Sequence, residues 1–196
     1  MMKILIDNGH GEETPGKCSP DKRLREYQYC REIAQRVSGE LTLKGADTLL
    51  LVPEKTDISL NERVRRVNGW SNKLGSKNVV LVSIHNNAAG ADGKWHNASG
   101  FSVFVSQNAS TNSKRLAQIF TDKATEMNLT GNRCIPKEKY WVQSLAMTRD
   151  TNCPAVLTEN LFQDNEEDVA YLLSEEGKRA IVKLHVDSII DYINTL

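Results

Sequence analysis

The stretch Val79 to Ala88, VVLVSIHNNA, decides the fold: an almost unbroken apolar run that stops abruptly in a histidine and two asparagines. Val79, Val80, Leu81, Val82 and Ile84 leave no polar face, so the segment reads as a strand covered on both sides, as in the middle of a parallel sheet. Ligands in such sheets bind just beyond the carboxyl ends of the strands, which is where His85 stands. A second strand of the same design opens the chain, Lys3 to Asp7 followed by NGHG, and carries His10 to what should be the same edge. A single histidine after a strand is ordinarily a hydrogen-bonded loop residue. Two at equivalent strand ends point to one shared site.

Strands and helices alternate along the rest of the chain. After a loop rich in Gly, Pro and charge, Gly11 to Asp21, a helical pattern runs from about Leu24 to Leu41. Cys30, Ile33, Val37 and Leu41 share one stripe, and Glu26 lies in line with it. That carboxylate either sits in the first turn, where the helix dipole favours it, or is buried and then needs a metal or a partner. Asp47 to Val52 is the next strand, and Ser59 with Glu62 has capping-box spacing ahead of a helix through Val67. Arg63 on that helix reads as a surface cation, with a role in holding a loop near the site as the second reading. Phe101 to Val105 alternates and suits a strand towards the sheet edge. Leu116, Ile119, Phe120 and Met127 belong to a further helix. Residues 129–153 form a long polar stretch with Tyr140, Trp141, Met147 and Arg149, of a length usual for a binding loop. Pro154 then leads into the last strand, AVLTE, which ends in Glu159. Beyond Asp164 an acidic helix start precedes an amphipathic helix through about Ile193. His185 falls on the apolar stripe of that helix and reads as a core residue, and His96, in a polar loop, as an exposed one. The alternation indicates an α/β domain with a mostly parallel sheet.

Composition narrows the function classes. The 196 residues, 39% hydrophobic and 26% charged, fit one domain spanning 1–196. With 25 basic and 25 acidic side chains the net charge is zero, so nothing favours nucleic acid or an anionic membrane as partner. Cys18, Cys30, Cys134 and Cys153 show no CxxC pair and read as reduced thiols. No run approaches the roughly 20 apolar residues of a membrane span, and the start lacks the longer apolar segment of a signal peptide. A soluble chain made in the cytosol, and a monomer, is the expectation.

Three strand ends thus carry His10, His85 and Glu159, and one helix aims Glu26 inward. Two histidines and a carboxylate, with one position left to water, make the ligand set of a catalytic zinc site, and the fourth group would be a base. In order and spacing, DNGHG with Glu26 after it, SLNERVRRVN, VVLVSIHNNA and SLAMTRDTNCPAVLTENLFQDNEED resemble the zinc-dependent N-acetylmuramoyl-L-alanine amidases of the Amidase_3 type. The likeness covers essentially the whole chain. It implies one α/β domain, a twisted sheet flanked by helices, with Zn2+ held by His10, Glu26 and His85, Glu159 as the general base, and peptidoglycan as substrate. The bond implied joins the lactyl group of N-acetylmuramic acid to the L-alanine of the stem peptide, and loops around Trp95 and Trp141 would grip sugar or peptide. Asn8 stands where the family often has Pro, and Asn160 and Leu161 replace residues that include a Gly; these departures bear on loop shape rather than chemistry. A zinc peptidase acting on another amide would use the same four residues. A metal-free wall-binding module would lose one of them. Such a substrate lies outside the membrane, which suits a phage-type lysin released by a holin or a chain trimmed of its leader.

Overall fold

Runs without a polar side form the middle of the sheet. In the computed structural model, which describes residues 2–196, β1 (Lys3–Asn8) lies parallel to β3 (Val79–Asn87), with Lys3 opposite Val79 and Asn8 opposite Ile84. β2 (Asp47–Leu50) flanks β1, and β6 (Ala155–Phe162) flanks β3. β4 (Ser102–Val105) and the two-residue β5 (Trp141–Val142) complete a six-stranded sheet ordered β2-β1-β3-β6-β4-β5. Only the β4–β6 pairing is antiparallel. The chain is a single α/β domain.

Alternation along the strands splits the core in two. Ile4, Ile6, Val80, Val82, Ile84 and Val156 face α1 (Glu26–Leu43), α3 (Thr111–Glu126) and α6 (Glu175–Asn194) in the larger cluster. Leu5, Leu81 and Ala155 face Val67 of α2 (Leu60–Leu74) and Met147 of the short α4 (Ala146–Arg149) on the other side. A last helix, α5 (Glu166–Leu173), joins β6 to α6. Ser59 caps α2 as its spacing predicts, its hydroxyl accepting from the Glu62 amide at 3.3 Å. Among the described residues no helix is long and apolar enough to cross a membrane.

Boundaries differ from the sequence reading where packing decides them. α2 continues past Val67 to Leu74, because Ser71 is buried and continues the inward face. β2 stops at Leu50, since Leu51 and Val52 leave the ladder while staying buried. β4 lies towards the edge as expected, but residues 129–153, read as a loop, contribute the two-residue β5 beyond it and also α4.

His185 is a core residue, as its stripe indicates. Its Nδ1 donates to the Ile181 carbonyl at 2.8 Å, which leaves Nε2 to accept the Thr158 hydroxyl at 2.9 Å, joining α6 to β6. Complete burial pushes this imidazole down from 6.5 to about 4. A folded-state value below the unfolded one means that the unfolded chain takes up the proton first as pH falls. The stabilisation is therefore present above pH 6.5 and is lost between 6.5 and about 4. Urea midpoints compared on the two sides of this window should fall more for the wild type than for His185→Gln.

Candidate functional site

The register of the sheet assembles the site. His85 is the parallel partner of Glu159, so the two side chains leave the same face at adjacent strand ends. The ladder extends past β1 through Gly9, whose amide donates to the Ile84 carbonyl at 2.9 Å. A Cβ at Gly9 would lie 2.5 Å from the His85 ring, so only glycine leaves that imidazole its place. The chain then turns through His10, which adopts a left-handed φ of 61°, and brings its ring edge-on to His85 with centroids 5.0 Å apart.

Glu26 completes the group from the opposite side of the sheet. It opens α1 with its side chain only 1% exposed. Its Oε1 accepts the Asn86 amide at 3.0 Å and lies 3.1 Å from His85 Nδ1 and 3.3 Å from His10 Nε2. Oε2 is buried without a protein partner among the described residues. The donor atoms of His10, Glu26 and His85 all fall within 4.8 Å of one another, a group that can hold a metal ion. Burial opposes the charged form of Glu26, yet hydrogen bonds from His10 and His85 hold its pKa well below the usual carboxylate range. Burial likewise opposes a charged His85, but the contact with Glu26 outweighs it and raises that imidazole.

Glu159 stands next to this group and is treated differently. Desolvation, with the negative charge of Glu26 adding to it against the opposing effect of His85, pushes its carboxyl up to about 7, and its Oε2 is buried without a partner. The residues that follow lock the strand ends together. Asn160 Nδ2 donates to the His85 carbonyl at 2.9 Å, and Asn86 Nδ2 to the Asn160 carbonyl at 2.6 Å. Leu161 adopts a φ of 61°, and the ladder shifts register between His85 and Asn87 as Glu159 gives way to Phe162. Asp164 then fixes the loop after β3 by accepting the amides of Ala89 and Gly90 at 2.8 and 2.9 Å.

The reading of Arg63 as a surface cation is overturned. The side chain is 2% exposed, and it donates to Asp7 at 2.8 Å and to the carbonyls of Ile58, Asn8 and His10. Arg31 donates to the same His10 carbonyl at 2.9 Å. Two guanidinium groups thus fix the turn that presents His10. The one sequence signal for this was Asp7, an acid inside an apolar strand that needs a buried cation. His96 is half-buried rather than exposed, because its amide donates to the Asp164 carbonyl at 2.7 Å. A cavity of about 440 Å³ beside His10 and His85 is lined by Ile58, Leu60, Arg63 and Met147.

Comparison with known proteins identifies the family. The Amidase_3 family, described as N-acetylmuramoyl-L-alanine amidase, matches residues 4–191. The chain belongs to the Amidase_3 family. It is 30% identical over 190 residues to the N-acetylmuramoyl-L-alanine amidase LytC of Bacillus subtilis, covering 96% of this chain and 35% of that protein. To the endolysin of Bacillus phage SPP1 it is 26% identical, over 99% of this chain and 67% of that one. An N-acetylmuramoyl-L-alanine amidase structure from Clostridium difficile 630 superposes with a TM-score of 0.83 at 24% identity, covering 99% and 97% of the two chains. Members of Amidase_3 are generally metal-dependent, and the His10, Glu26 and His85 group has the donor set for that role.

Arg63→Leu should leave Asp7 in the core without its cation. Removing one partner of such a pair costs on the order of 3–5 kcal/mol, which urea unfolding monitored by circular dichroism will register.

Proposed function

We propose that His10, Glu26 and His85 hold one zinc ion and that Glu159 is the general base, with the whole chain serving as the catalytic domain. Membership of Amidase_3 makes the activity that of an N-acetylmuramoyl-L-alanine amidase, a hydrolase of cell-wall peptidoglycan. The observation that carries the assignment of roles is the convergence of three donors within 4.8 Å, with Glu159 opposite His85 in the ladder.

The donor set fits the ion. Two imidazole nitrogens and a carboxylate are the ligands of a catalytic zinc with an open position, and the partnerless Glu26 Oε2 marks a buried acceptor that lacks a cation. Zinc bound there supplies Lewis-acid activation of a water and of the scissile carbonyl. The Asn86 amide orients Glu26, while Arg31 and Arg63 hold the His10 backbone, so the three donors need little rearrangement to bind. Glu159 works with the partnerless Oε2. That atom takes the proton of the attacking water and passes it to the nitrogen of L-alanine as the bond to the lactyl carbonyl breaks. Burial and the like charge of Glu26 raise this carboxyl, which favours its taking up a proton. The cavity bounded by Ile58, Leu60 and Met147 shields the reacting amide from bulk water. The enzyme acts as a monomer on wall material outside the membrane.

Elemental analysis of the purified protein should find about one zinc per chain. Glu26→Ala removes one of three ligands and should lose that metal. Glu159→Gln keeps the shape but not the base, so turnover on peptidoglycan fragments should drop roughly a hundredfold or more while zinc content holds. If zinc falls along with turnover in that variant, Glu159 is a ligand and the roles of the two glutamates must be exchanged.

A further inference from the structure

Arg133 differs from the other guanidinium groups near the carboxyl edge of the sheet. Arg31 and Arg63 are committed to carbonyls and to Asp7. Arg133 is half-buried, its Nε is buried without a partner, and among the described residues its side chain meets no carboxylate. What holds it is aromatic: its guanidinium carbon lies 5.0 Å from the Trp141 ring centre and 5.5 Å from that of Phe162. Stacking of this kind fixes the plane of a guanidinium while leaving its in-plane N–H donors unspent.

The two rings tie this cation to β6, the strand that carries Glu159, and to its neighbours in the sheet. Phe162 ends β6, three residues beyond Glu159. Trp141 pairs with Phe104 on β4, and Phe104 pairs with Leu157, which shares a face with Glu159 on β6. Burial raises the Glu159 carboxyl, and Arg133 is among the cations that oppose the rise. An unpaired guanidinium held by rings on the sheet that carries the site is a receptor for a planar anion, and a carboxylate takes its two N–H groups side by side. In the intact substrate the lactyl carboxyl is consumed in the scissile amide and the sugars are neutral. The anions left are the carboxylates of the stem peptide.

We propose that Arg133 is a substrate-binding residue that anchors a peptide carboxylate of the stem as the amide is presented to Glu159. This rests on the amidase reading above. A muramoyl tripeptide supplies the test in three forms: both peptide carboxylates free, the second-residue carboxylate amidated, and the C-terminal carboxylate amidated. The wild type should lose roughly tenfold or more in kcat/KM, through KM, on one amidated form, and that form names the carboxylate. Arg133→Gln should lose the same factor on the free acid, lose nothing further on amidation, and keep kcat within about threefold. Arg133→Lys should recover part of the KM. A wild type indifferent to both amidations, or an Arg133→Gln variant equally impaired on all three forms, overturns the proposal. A wild type that cleaves none of the three, with products followed by mass spectrometry, overturns the amidase reading itself.

Discussion

A carboxylate buried between two imidazoles organises this end of the molecule. Removing an ionised carboxyl from water costs several kcal/mol unless the protein returns equivalent contacts, and Glu26 is almost fully enclosed. One oxygen recovers the cost through the Asn86 amide and the rings of His10 and His85. Its place in the first turn of α1 adds the positive end of the helix dipole. The other oxygen recovers nothing from the protein. The arrangement is thus complete in hydrogen bonds on one side and open to a cation on the other. Because a proton on His85 and a metal compete for the same nitrogen, acid must weaken metal binding at this site.

Two histidines can converge on Glu26 only if the strand ends that bear them are held rigidly, and much of the polar material in the core does this. The layers read off the register run from Leu5 beside Leu81, through Asp7 beside Ser83, to Gly9 beside His85. The layers pass from apolar to polar towards the carboxyl edge. Asp7 accepts from both Ser83 and Arg63, and Arg63 spans from that buried acid to the His10 carbonyl. The ion pair is therefore a strut between the sheet and the turn carrying His10, which is why a charged residue on α2 is sequestered rather than solvated.

The sequence carried the parallel sheet and the convergence of His10, Glu26, His85 and Glu159 at one edge of it, because both depend on local patterns. Almost unbroken apolar runs such as VVLVSI suit central strands, and a histidine or glutamate at their ends is placed by the strand itself. Arg63 was misread because its place on α2 is ambiguous until Asp7 is known to lie beneath it, a contact spanning 56 residues. Trp141 and Val142 could not be read as a strand, since two residues have no periodicity and their pairing comes from β4. Leu161 shows another limit. Its left-handed backbone, costing a non-glycine residue about 1–2 kcal/mol, is imposed by the register shift beside His85 and the anchoring of Phe162 to Asp168, not by its own preference.

The two glutamates illustrate how position, rather than residue type, divides the chemistry. Both are carboxylates deprived of water a few ångströms from His85. Glu26 receives hydrogen bonds from two imidazoles and an amide and is held ionised well below the usual range. Glu159 receives no compensating bond at Oε2, feels Glu26 as a like charge, and rises to about 7. When neighbouring acids are driven apart in this way, the low one suits permanent charge and the high one suits proton exchange. Exchanging the roles would ask the permanently charged group to carry protons and leave the open Oε2 of Glu26 with no ion to satisfy it. The contacts and the opposed pKa shifts that follow from them favour the proposed division: Glu26 to the metal and Glu159 to the proton.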